Sequence, residues 1–225
     1  MYLGDSVLPH RILAPQQAII PREGRHLLRG DDDLIDAYPG LAQWWREAEA
    51  AWLEDRASDR LDLMARLDYH SGLSRQLATS GHRVAYTKSG MYLAAGIITD
   101  TSAIIDHKLY WADVTTLDEA RFLTAILNSA VLTMAVRPLQ ARGEHNPRDF
   151  DKHIFQLPIP LYDVAKAAHR QLAELAEEAE VVAANVDLPT SRFETQRRKV
   201  REALDASGIA AEIDARVKAL LARQS

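Results

Sequence analysis

The stretch QARGEHNPRDFDKH, residues 140 to 153, concentrates side chains that reach nucleic acid. Arg142, Arg148 and Lys152 suit phosphates, His145 adds a ring donor, and Arg and Asn146 can grip a purine edge with two bonds each. Glu144, Asp149 and Asp151 nearly cancel this charge, so the same string also fits a solvated loop. Arg83, Lys88 and Lys108 extend the basic set, with Lys88 at the tip of an expected hairpin. The run Arg197-Arg198-Lys199-Val200-Arg201 has the composition of a backbone contact, although nearby acids also suit a solvated helix face.

Catalytic signatures are sparse. Approach of a cofactor pyrophosphate to the backbone needs a Gly-rich turn, and the sequence has neither G-x-G nor a P-loop. Asn146-Pro147-Arg148-Asp149 is not the Asn-Pro-Pro-aromatic string that holds the amino group of an extruded base. Asp106-His107-Lys108 has the acid-x-Lys form of a metal-dependent nuclease, but six lysines among 32 acids produce roughly one such pair by chance. The eight histidines show no H-x-x-x-H or H-E-x-x-H spacing, and Ser71-Gly72-Leu73-Ser74 is no nucleophile elbow. The sequence therefore predicts no metal site and no catalytic group.

The elements that must carry these residues follow from periodicity. Prolines 9, 15, 21 and 39 mark residues 1 to 40 as extended chain, and Trp45, Ala48 and Trp52 define a helix over 41 to 57 that needs a partner surface. Its cluster Trp44-Trp45-Trp52 suits packing better than base stacking, because the intervening residues are acidic. RVAYTKS and MYLAAGII form a hairpin about Lys88-Ser89-Gly90. A third strand is expected over 103 to 114, burying Ile105, His107, Leu109 and Trp111 and presenting Asp106, Lys108 and Tyr110. Thr116 and Glu119 box the start of one core helix running to Arg137, and Ser191 with Glu194 box a later one. Val164, Ala168, Leu172, Leu175, Ala179, Val182 and Val186 make a heptad seam, for an intramolecular helix pair or a homodimer. The class is α+β: a small mixed strand-rich centre packed on a core helix, followed by a C-terminal helical hairpin or bundle. Boundaries are expected at 1–80, 81–162 and 163–225.

Composition sets outer bounds. The 225 residues are 47% hydrophobic and 26% charged, ordinary for a globular chain, and cysteine is absent, which removes disulfides and thiolate chemistry. Lys plus Arg is 27 against 32 acids, for a net charge of −5, so a nucleic-acid surface has to be local. With no long apolar run and no basic leader, a cytoplasmic protein is expected.

In the segments RVAYTKSG (83–90), AIIDHKLYWADV (103–114), DEARFLTAILNS (118–129), LQARGEHNPRDFDKHIFQLPIPLYD (139–163) and HRQLAELAEEAEVVAA (169–184), the chain resembles the C-terminal target-recognition region of large bacterial adenine-N6 DNA methyltransferases. These belong to restriction-modification or phage-defence systems. The order of the "DHKLYW" strand, "LNS" and "LPIP" carries the resemblance. It implies duplex DNA as partner, read by Arg83, Lys88, Lys108, Arg142, His145, Asn146, Arg148 and Lys152, and a long helix as spacer. It also implies that S-adenosylmethionine and methyl transfer belong to a catalytic domain or subunit, since the sequence has neither cofactor glycines nor the Asn-Pro-Pro-aromatic motif. Catalysis is not expected of this region itself. A scaffold or protein-interaction domain acting through the C-terminal helices, and a nuclease centred on Asp106, are the other readings.

Overall fold

The computed structural model describes residues 1–58, 60–78, 81–140, 149–188 and 192–222. In chain order the elements are β1 (Val7–Leu8), β2 (Arg11–Ile12), β3 (Arg22–Glu23), β4 (His26–Leu27), α1 (Pro39–Asp55), α2 (Leu63–Leu67), β5 (His82–Thr87), β6 (Ala95–Ile98), β7 (Leu109–Val114), α3 (Leu117–Asn128), α4 (Ala130–Val136), α5 (Ala167–Ala184), α6 (Phe193–Ala206) and α7 (Ile209–Ala222). The class is α+β. The division differs from the three segments expected: one compact unit holds Met1 and Gln16–Ser80, and the other holds Tyr2–Pro15 with Gly81–Ser225. The centre and the C-terminal helices therefore share one unit, and the first fifteen residues belong mostly to it.

The smaller unit closes around Leu28, Ile35, Ala42, Trp45 and Met64. Trp45 is buried and Trp52 donates its indole N–H to the Leu61 carbonyl at 3.1 Å, so these two rings pack, whereas Trp44 is exposed. Arg46 ties α1 back to the preceding turn through the Gly30 carbonyl and the Asp36 carboxylate.

The larger unit is built on the antiparallel sheet β6-β5-β7, with β5 in the centre. Val84 and Tyr86 join Phe122, Ile126, Leu127, Leu172, Ala176, Val200 and Val217 in one apolar core between the sheet and the helices. The third strand starts only at Leu109. Upstream, the Asp106 carboxylate accepts from the Lys108 N–H at 3.3 Å and the Asp106 carbonyl from the Leu109 N–H at 3.0 Å, a carboxylate-led turn that competes with extended pairing. His107, expected on the buried face, is exposed as a result.

The single long core helix expected after Thr116 is broken at Ser129, with a bend of 61°. Thr116 caps α3 as predicted, its hydroxyl accepting from the Glu119 N–H, while Glu119 reaches back to Thr115 instead of closing the box on Thr116. Asn128 ends α3 by bonding both backbone groups of Ala95 on β6, each at 2.9 Å. The Ser129 hydroxyl accepts from the Val131 N–H to cap α4 and donates to Asp214 of α7 at 2.6 Å. Leu-Asn-Ser is thus a joint between sheet and helices. No single helix among the described residues is long and apolar enough to cross a membrane.

Helix α5 packs against α3 and α7, burying Leu172, Leu175, Ala176, Ala179 and Ala183, while Val164 of the expected seam is exposed. Arg121 of α3 pairs with Glu177 and Glu180 of α5. Gly208, at φ 81°, supplies the left-handed link between α6 and α7. Ser191 lies outside the described residues.

The N-terminal arm turns back through Pro9 and His10 and lies across β6, where Gly96 permits the approach: a Cβ there would stand 2.7 Å from Cδ1 of Ile12. His10 is left-handed (φ 56°), fully buried, and pushed down to about 3 by desolvation. The unfolded chain therefore takes up a proton below about 6.5 that the folded chain refuses, and folding free energy falls as pH drops through that window. Urea melts at pH 7.5 and pH 5.0 are expected to show wild type losing about 2 kcal/mol more than His10→Asn, a residue that tolerates the same backbone. Equal losses would mean that His10 is protonated in the fold.

Candidate nucleic-acid interface

A cleft of about 960 Å³ opens in the larger unit where the β5–β6 connection, the Asp106–Lys108 turn, the N-terminal arm and the start of α6 come together. One wall is fixed by a local pair of bonds and the others by partners distant in the chain. The β5–β6 connection is held at one end by Thr87, whose N–H donates to the Ala94 carbonyl and whose hydroxyl accepts from the Ala94 N–H. On its other flank the Lys88 carbonyl accepts from the Phe150 N–H at 2.7 Å, and Ser89 bridges Asp149. The chain therefore returns from segment 141–148 at the rim of this cleft.

Helix α6 is fastened to the arm by Arg197. Its buried guanidinium donates to the carbonyls of Gly4 and Val7 and lies 4.7 Å from the Phe193 ring. Burial, with Arg201 adjacent, pushes Arg197 down to about 10, so it remains a cation at neutral pH. Arg201 sits 5.0 Å from the centre of the Tyr92 ring and Arg137 at 5.7 Å. These arginines hold the walls together and already have partners for their charge.

The other cations of the lining, exposed at Lys108 and Arg198 and half-buried at Lys88, come from three elements. Lys88, over the Tyr110 ring at 4.4 Å, lies on the hairpin connection; Lys108, whose stem packs against Gly4, lies on the turn; and Arg198 lies on α6 with only a long 3.9 Å pairing to Glu202. Asp5, Asp106, Asp149 and Glu194 also line the cleft, so its five cations stand beside four carboxylates. Asp106 is engaged by the His107 ring at 2.8 Å. Among the described residues no group of three acids or histidines is placed to hold a metal.

Of the eight residues predicted to meet DNA, Lys88 and Lys108 come together here. Arg83 does not: it is wholly buried on the central strand, donating to the Asp100 carbonyl at 2.6 Å and lying opposite Asp113 of β7. Reading Arg83 as a DNA contact is corrected by that burial, because a guanidinium fully covered by the fold and bonded to an internal carbonyl cannot reach a duplex. Arg142, His145, Asn146 and Arg148 lie outside the described residues, as does the side chain of Lys152. Tyr92 and Phe193 carry no signal in the sequence, and Arg198 only as a member of the 197–201 run. The basic run at 197–201 carried a signal, but only the fold separates inward Arg197 from outward Arg198.

No protein-family profile matches the chain, and a search of curated proteins finds none similar to it.

Proposed function

We propose that this chain is a DNA target-recognition module of an adenine-N6 DNA methyltransferase or restriction-modification system, cytoplasmic and without catalysis of its own. Methyl transfer from S-adenosylmethionine falls to a catalytic domain or subunit that acts with it. The observation that carries the reading is the convergence of Lys88, Lys108 and Arg198, from three separate elements, on one cleft rim. Cations brought together from distant points of a net acidic chain (−5) suit a polyanion. Asp149, within the 140–153 stretch, is bridged to Ser89 beside Lys88. The order of the DHKLYW, LNS and LPIP segments adds the resemblance described above.

The test is fluorescence anisotropy of a labelled random-sequence duplex titrated with the chain at 50 and 200 mM salt. Three phosphate contacts predict micromolar binding that weakens about fortyfold over that range. Absence of binding, or an affinity indifferent to salt, would sink the reading and favour a protein-interaction domain.

A further inference from the structure

We infer that the cleft receives a single unpaired nucleic-acid strand, one or two nucleotides long, while any duplex stays outside on the rim. This rests on the reading that the basic rim binds DNA. Three observations carry it. The volume, about 960 Å³, lies in the range of ligand pockets, roughly 300–1,000 Å³, and is too small for a duplex. Its walls present rings to solvent: Tyr92 is 43% and Phe193 37% exposed, with Met91 58% exposed beside them. Both rings carry guanidiniums over them, Arg201 and Arg137 on Tyr92 and Arg197 on Phe193, and the exposure just given is the part of each ring that these contacts leave open.

Bases in a duplex are stacked on one another and cannot reach such rings, whereas every unpaired base has a free face to offer. The described lining contains no Asn or Gln, the side chains that grip adenine in the major groove of an intact duplex. Lys88, Lys108 and Arg198 then meet the phosphates of the strand as it enters, and Tyr92 and Phe193 stack its bases, an arrangement that tolerates any sequence.

The experiment compares three labelled probes by anisotropy at one salt concentration: a twelve-residue oligothymidylate, an intact 20-base-pair duplex, and the same duplex with two unpaired nucleotides at its centre. The full chain is expected to bind the oligothymidylate and the bulged duplex at least about fivefold more tightly than the intact duplex. Tyr92→Leu and Phe193→Leu, which keep an apolar side chain at exposed positions, should each weaken oligothymidylate binding about tenfold and intact-duplex binding less than twofold. Intact duplex bound as well as or better than the other probes would overturn the inference and leave the duplex reading standing. No binding to any probe would overturn both. Equal loss on all probes in the leucine variants would assign the rings to wall packing and end the stacking claim. The wild-type comparison decides the strand preference even if a variant fails to fold.

Discussion

Reversing the charge at Lys88, Lys108 and Arg198 together is expected to weaken DNA binding about a thousandfold at low salt, with the fold unchanged. Each cation that neutralises a phosphate releases a counterion, and each replacement by glutamate both forfeits that release and adds repulsion, on the order of tenfold per site. The slope of log affinity against log salt should fall by about 2.7 at the same time. None of the three makes a close salt bridge; the cost to the fold is the Lys88 contact with Tyr110, about 1 kcal/mol at a half-buried site. Lys218→Glu, on the exposed side of α7, serves as the control for overall charge and should change affinity less than threefold. A triple variant that binds within threefold of wild type would remove the cleft rim from consideration as a DNA surface. The salt slopes of the three single variants would then show which element contributes most.

Arg83→Ala is expected to cost about 3 kcal/mol of stability, because it removes a buried charge-assisted bond to the Asp100 carbonyl together with the stem that fills the space beside β5. Asp113 and Asp100 both hold the guanidinium in its charged form against the desolvation that lowers it, so the residue acts as a fastener across β7 and the β6–β7 connection. Arg83→Met, which keeps most of the stem, should recover about half of the loss. Urea melts measure both, and the folded fraction of each variant should bind DNA with unchanged affinity. A loss of DNA affinity without a loss of stability would return Arg83 to the set of DNA contacts and overturn its assignment to the core.

The contrast between Arg83 and Arg198 shows how far side-chain type alone can lead. Both are arginines next to a second basic or polar group in the sequence, yet the resemblance points to the first as a DNA contact and composition places the second on a solvated face. Chain packed over the face of β5 that carries it buries the first; the helical step between residues 197 and 198 turns the second outward. The break at Ser129 is similar. Periodicity over 117–136 was continuous, and no local signal stronger than Asn128-Ser129 marked a bend, yet Asn128 is drawn to Ala95 and Ser129 to Asp214, partners far away in the chain.

By itself the sequence determined the α+β class, the hairpin of β5 and β6, the Thr116 cap, the helical C-terminus and the candidacy of Lys88 and Lys108. All of these rest on interactions within a few residues or on the side-chain period of one element. The tertiary structure alone decided the two-unit division, the burial of Arg83, and the meeting of three cations and two exposed rings at one cleft. Those depend on which remote backbone groups a side chain finds, and spacing along the chain does not encode such distances.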